Sequence, residues 1–457
     1  MNRDGLLLVA GALLAAGIGA LMAFDSDYSS VILIVLIGGI LFTAAGWKMR
    51  TDIDAAWLPK WVLFGFGVKV IGTLARYYMV TVLYTAEGSD SIQYYRAGTE
   101  FVTQFNAGQP LTLTGRGSLA TQITELITGG LFIGHTPDLL GGFLMFAIIA
   151  FCGQLFLYAA FRHWAQPHQL KLYAALIFLL PTFAFWPSSI GKDAIVMFAL
   201  GGCAYFISRM LHSFYLRWVW GLGPFLALLG LIRIHVVALV IGALIAAMLL
   251  ARPAQGSDAQ MKARRLTMLT VSLAAGAVAF ILFPDLFGVE ISSLEEADNF
   301  ASEVVRRTSE RGTIASGSPV SGPIDVPGAV ALVLFRPFIF EAFEIQHFFA
   351  AAETTVLLGL TLWQAPAVFK NWRNWRSNAY VVFSSFYVLA YAVAFSVVRN
   401  LGIIARQRGQ VLAFFLVVVI GMGMVATDER RQQRSSIGEL ADEQGQTPSR
   451  QRSMPPG

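Results

Sequence analysis

Residues 138–161 read DLLGGFLMFAIIAFCGQLFLYAAF, with no charge after Asp138 and one amide, Gln154. A helix needs about 20 mostly apolar residues to cross the hydrocarbon layer of a bilayer, so this stretch reads as a membrane span. A β-barrel would call for short alternating strands instead. Working outward, comparable apolar runs lie near 5–24, 31–49, 61–84, 170–190, 193–211, 214–232, 234–251, 266–284, 345–366, 379–398 and 410–426. The expected fold is therefore all-α, a polytopic helical membrane protein with about twelve transmembrane helices. Composition agrees: the 457 residues are 56% apolar and 13% charged, with a mean hydropathy of +0.62. A soluble domain is about 45–50% apolar and about 25% charged, so a water-soluble enzyme is excluded. The 43 glycines and 35 phenylalanines suit close helix contact and aromatic anchoring in lipid.

Residues 1–427 read as one transmembrane domain. The run Leu119–Gly134 carries Gln122, Thr124, Glu125, Gly129 and Gly130, which suggests an interfacial or re-entrant helix on the outer face. Outer loops are expected at about 85–118 and 285–344, the second containing EEADNFASEVVRRTSERG. The tail 428–457 has almost nothing apolar and is expected to be disordered. Arg3 ahead of the first run could mimic a signal peptide. A single positive charge there, and the odd helix count that removal would leave, favour a retained span. Cys152 and Cys203 both fall in apolar runs, so neither reads as half of an exposed disulfide or as a metal ligand.

Orientation follows from the lysines and arginines. Lys48, Arg50, Lys60, Arg162, Lys171, Arg209, Arg217, Arg252, Lys262, Arg264, Arg265, Lys370, Arg373, Arg376 and the tail arginines fall on one side. That places both termini in the cytoplasm. Arg96, Arg116, Lys192, Arg233, Arg336, Arg399, Arg406 and Arg408 oppose the bias and lie mostly at span ends on the outer side. Cations in such places are costly unless they face a cavity and meet an anion. Guanidinium groups grip phosphate oxygens in bidentate fashion, so a ring of them suits a pyrophosphate headgroup. Each one taken singly could instead cap a helix or pair with a carboxylate.

Five constellations carry the chemistry. In GSDSIQYYRAG, Asp90 could cap a helix over 91–105 or serve as a general base, with the rings of Tyr94 and Tyr95 beside it to hold a sugar and Arg96 next to them. In FWPSSIGKDAI, Asp193 could neutralise Lys192 or sit favourably in a first helical turn, leaving Lys192 to reach a phosphate. LIRIHVV breaks a run too long for one span and puts Arg233 and His235 at the turn, His235 being structural or a base. In VLFRPFIFEAFE, Arg336 and Glu341 form an ion pair or a braced phosphate contact. RNLGIIARQRGQ carries Arg399, Arg406 and Arg408 in one outer turn and is the strongest pointer to an anionic ligand. GxxxxGK[ST], HExxH and Cys/His clusters are absent, so no cofactor or divalent metal is expected, and nucleic acid is not an expected partner.

Taken together these motifs resemble bacterial polysaccharide polymerases of the Wzy and EpsG kind, over about residues 88–408. The resemblance implies a metal-independent glycosyltransferase of the GT-C type. It would polymerise undecaprenyl-pyrophosphate-linked repeat units into an exopolysaccharide or O-antigen-like polymer at the outer face of the cytoplasmic membrane. It assigns Lys192, Arg233, Arg336, Arg399, Arg406 and Arg408 to the pyrophosphate and Asp90 to the base. Many GT-C enzymes show an adjacent acidic pair, whereas here Ser89 and Ser91 flank Asp90, which leaves Glu341 or His235 as substitutes. A flippase and a chain-length regulator are implied partners, beside membrane lipid and the lipid-linked glycan. Two rivals stand: a lipid-linked oligosaccharide flippase or exporter, and a transferase using polyprenyl-phosphate sugars.

Overall fold

The computed structural model describes residues 27–51, 54–83, 89–109, 118–134, 136–213, 215–252, 323–341, 345–396, 398 and 400–423, without the side chains of 27–30 and 345–347. The expected spans at 5–24 and 266–284, the tail 428–457, and Arg116 and Arg399 lie outside these residues. Every regular element among them is helical: α1 (Asp27–Met49), α2 (Leu58–Tyr78, continued by a π turn Met79–Leu83), α3 (Asp90–Asn106), α4 (Leu119–Phe132), α5 (Leu139–Arg162), α6 (Pro167–Leu179), α7 (Pro181–Ala184), α8 (Lys192–His212), α9 (Leu216–Leu250), α10 (Val326–Phe335), α11 (Ile345–Asn371), α12 (Ala379–Phe395), α13 (Leu401–Gln407) and α14 (Gly409–Gly423).

By length and composition six helices could cross a membrane: Val31–Met49, Leu58–Leu83, Leu139–Arg162, Lys192–His212, Leu216–Leu250, which breaks at Arg233, and Phe348–Ser377. Counting α13 and α14, bent by 60° to each other, as one span makes seven. About twelve spans are therefore not found among the described residues, and three departures have physical causes. The run 170–190 is interrupted because Leu180, with φ −62° and ψ 136°, is extended ahead of Pro181. The helix over 379–398 has only 17 residues. Val326–Phe335, expected to be part of an outer loop, is an apolar helix with Pro327 in its first turn.

The α9 run is broken at Arg233, whose φ of −148° and ψ of 78° are not helical. Its two limbs run in opposite directions. Trp218 stacks under Arg209 at the end of α8, and Arg233 meets Asp193 at the start of α8, so the first limb is antiparallel to α8. His235 lies beside Phe395 at the end of α12, while Arg376, just ahead of α12, donates to the Leu250 carbonyl at 2.6 Å and accepts from the Arg252 N–H. The chain thus reverses at Arg233, where LIRIHVV was expected to turn.

These contacts divide the bundle into two ends. Arg162, Arg209, Arg252 and Arg376 gather at one end with the carbonyls of Met49 and Leu250. Lys192, Arg233, Arg336, Arg406 and Arg408 gather at the other. At the first end Asp54 is wholly buried: it accepts from the Thr51 N–H at 2.6 Å and the Tyr158 hydroxyl at 2.7 Å, with Arg162 at 3.5 Å. Replacing Tyr158 with Phe should cost about 1.5–3 kcal/mol, the worth of a hydrogen bond to a charged group. The measure is the thermal midpoint of the purified protein in detergent, and an unchanged midpoint would refute the bond's role.

Small residues set the spacing between helices. A Cβ on Gly153 of α5 would sit 2.6 Å from the Met197 carbonyl carbon, and one on Gly201 of α8 2.8 Å from the Gly153 carbonyl carbon, so these backbones touch. The interruption at 180–184 leaves backbone groups that an apolar interior cannot solvate. Lys69 of α2, 1% exposed, donates to the Phe183 carbonyl at 2.7 Å. Glu353 of α11 accepts the Thr182 N–H at 2.8 Å.

Candidate functional site

Five segments meet at the second end: α3, α4, the start of α8, the break in α9 and the α13 turn. Asp90 is the first residue of α3, and Ser89 rather than Asp90 occupies the N-cap position. Its carboxylate therefore points out of the helix start, with its side chain 59% exposed, and Arg406 Nη1 lies 3.6 Å away. Asp193, in the first turn of α8, is 11% exposed and accepts from Arg233 Nη2 at 2.9 Å and from Arg406 Nε. Arg406 thus bridges one exposed and one enclosed carboxylate. Arg76 of α2 lies within electrostatic reach of Asp193, and Lys192 Nζ donates to Thr121 Oγ1 at 3.0 Å. Arg233, Arg406 and Lys192 outnumber Asp90 and Asp193, so the cluster carries excess positive charge.

Tyr94 is packed against this group and hydrogen-bonds Thr121; burial, with the Asp90 carboxylate adding to it, pushes its phenol up to about 12. The phenol therefore keeps its proton at neutral pH and can donate. Its neighbour Tyr95 faces elsewhere, donating to the Pro137 carbonyl at 3.2 Å with its ring edge-on to Phe132. Arg96 lies on the exposed face of α3. His235 sits next to the break, its ring 5.9 Å from that of Phe395.

A second group adjoins the first through the turn after α13. Arg336 Nε donates to Glu341 Oε2 at 3.0 Å, and a second prong joins Arg336 Nη2 to Oε1. The Phe338 N–H adds another donor at 2.9 Å. Burial pushes the Glu341 carboxyl up, but these hydrogen bonds and the Arg336 charge outweigh it and hold it below its usual 4.5. An acid with a depressed pKa contributes stability above its unfolded value and loses it as pH falls. Wild type should therefore lose thermal stability below about pH 4.5 more steeply than Glu341→Gln, and parallel acid limbs would show the pair to be inert. So engaged a carboxylate is a poor proton acceptor, which leaves Asp90 as the accessible acid of the cluster. Arg408 is 1% exposed and donates to the Arg336 carbonyl.

Of the cations expected to face a phosphate, the described structure brings Lys192, Arg233 and Arg406 together, places Arg336 and Arg408 alongside, and turns Arg96 away. Glu353 was not anticipated. The one signal for it was a carboxylate inside an apolar run, which lipid tolerates only toward a partner. Comparisons with models of known families, with curated proteins and with solved structures find no match.

Proposed function

We propose that the chain is a membrane glycosyltransferase that polymerises polyprenyl-pyrophosphate-linked oligosaccharide units at the outer face of the bacterial cytoplasmic membrane, with both termini cytoplasmic. The observation that carries this reading is the bridge Asp90–Arg406–Asp193, in which one carboxylate is exposed beside a buried phenol and a surplus of cations. Asp90 takes the proton of the acceptor hydroxyl as it attacks the anomeric carbon of the donor unit. The pyrophosphate leaves with the electron pair of the broken glycosidic bond. Arg406, Arg233 and Lys192 stabilise its growing charge, the larger contribution for a good leaving group.

In a strain lacking the chain, polymer should be restored by wild type and by Arg373→Ala, an exposed site at the far end. Asp90→Asn should lower polymer about a hundredfold, the usual share of a general base, and Arg406→Ala should leave single repeat units. Normal polymer from both variants at matched membrane expression would reject the reading. A flippase is the second reading; it would need cations through the full depth of the bundle, where α2 buries Lys69 and Arg76. It predicts lipid-linked units retained on the cytoplasmic side.

A further inference from the structure

Arg408 is the largest fully buried side chain among the described residues, yet it uses one nitrogen. Nη2 donates to the Arg336 carbonyl, while Nε and Nη1 meet no protein acceptor. Glu353 on α11 is 4% exposed; its Oε2 takes the Thr182 N–H and its Oε1 meets no donor. The two charges attract each other without an ion-pair contact, and Glu353 is the carboxylate within reach of Arg408. A buried guanidinium is held at such a depth only against a counter-charge. Because it is enclosed, Arg408 is not open to a phosphate.

What the pair holds is more informative. Arg408 caps the end of α13, which carries Arg406. Its Nη2 fixes the backbone at Arg336, the residue whose side chain grips Glu341. Glu353 fixes Thr182 in the interruption that leads to Lys192 and Asp193. A Cβ on Gly409 would lie 3.3 Å from Thr182 Cγ2, so the turn and the interruption are in contact. We propose that Glu353 and Arg408 are a pair of positioning residues that lock the α13 turn onto the 180–182 interruption and so aim Arg406 at Asp90 and Asp193. The proposal rests on the glycosyltransferase reading for its catalytic consequence, though not for the lock itself.

Two measurements test it. In a Cys152→Ala, Cys203→Ala background, Thr182→Cys with Gly409→Cys should form a disulfide when copper phenanthroline is added as oxidant, since a Cβ at 409 would lie 3.3 Å from Thr182 Cγ2. Adding Glu353→Gln or Arg408→Gln should slow that bridging at least fivefold; an unchanged rate overturns the lock whatever the polymer assay reports. In membranes supplied with lipid-linked donor, each single variant should lower kcat about tenfold with KM for the donor nearly unchanged. The double variant, which removes both buried charges and guards against simple misfolding, should be no worse than the weaker single. A raised KM for Arg408→Gln, with Glu353→Gln like wild type, would make Arg408 a ligand and overturn the proposal. A double-cysteine variant that bridges as expected, beside a wild type that forms no polymer, would sink the glycosyltransferase reading and leave the lock standing.

Discussion

Asp193→Asn should abolish polymer formation and destabilise the protein together. The Asp193 side chain is 11% exposed and receives Arg233 and Arg406, with Arg76 close by. Asparagine keeps the volume and one acceptor oxygen but removes the charge. Arg233, Arg406 and Arg76 would then lose the carboxylate they share, and only Arg406 would keep a neighbour in Asp90, 59% exposed and 3.6 Å away. Removing one partner of an enclosed ion pair costs about 3–5 kcal/mol, mostly because the other charge is left uncompensated. At about 1.4 kcal/mol per tenfold, that corresponds to a loss of more than a hundredfold if it falls on the active arrangement. The measurements are polymer yield at matched expression and the thermal midpoint of the purified variant. Wild-type polymer from Asp193→Asn would mean that the cluster is a structural knot and not a reaction centre.

Gly201→Leu should prevent α5 and α8 from packing at all, with the protein lost from the membrane or eluting as aggregate. Even alanine is expected to be severe, because its methyl carbon would meet the Gly153 carbonyl, a backbone group with nowhere to go. Gly67 and Gly242 supply the control: both are helical, and a Cβ added to either meets nothing within 4 Å. Alanine there should leave the midpoint unchanged or raise it, since alanine favours a helix interior by about 1 kcal/mol over glycine. Equal behaviour of all these alanine variants would show that helix propensity outweighs interhelical contact.

Where hydrophobic length alone decides the outcome, the sequence was legible. Spans expected at 138–161 and 193–211 appear as Leu139–Arg162 and Lys192–His212. LIRIHVV was readable as a turn because the run around it is too long for one crossing. The run 170–190 was misread because its apolar composition hides the single residue, Leu180, that proline forces out of helical conformation. Val326–Phe335 was missed since ten apolar residues are too few to signal a span and its support is tertiary. At the site, orientation bias picked out Lys192, Arg233 and Arg406 correctly as neighbours, because charges at span ends share a depth. It said nothing about which face of α3 is packed, so Tyr95 and Arg96 were grouped with Tyr94. Nor could it find Glu353, whose partner lies 55 positions along the chain and is reached only through folding.

The reversal at Arg233 joins a chemical role to a mechanical one. The residue that breaks α9 is also the one that grips Asp193, so the corner of two helical limbs is pinned by a bond an anionic ligand would compete for. Each limb extends about 25 Å from that corner, and a tilt of about 3° moves its tip by roughly 1 Å. The tip of the second limb is where Arg376 binds the Leu250 carbonyl and the Arg252 N–H. On the proposed reading, an anion held by Arg233 would act at the corner of two limbs whose far ends both lie at the other end of the bundle.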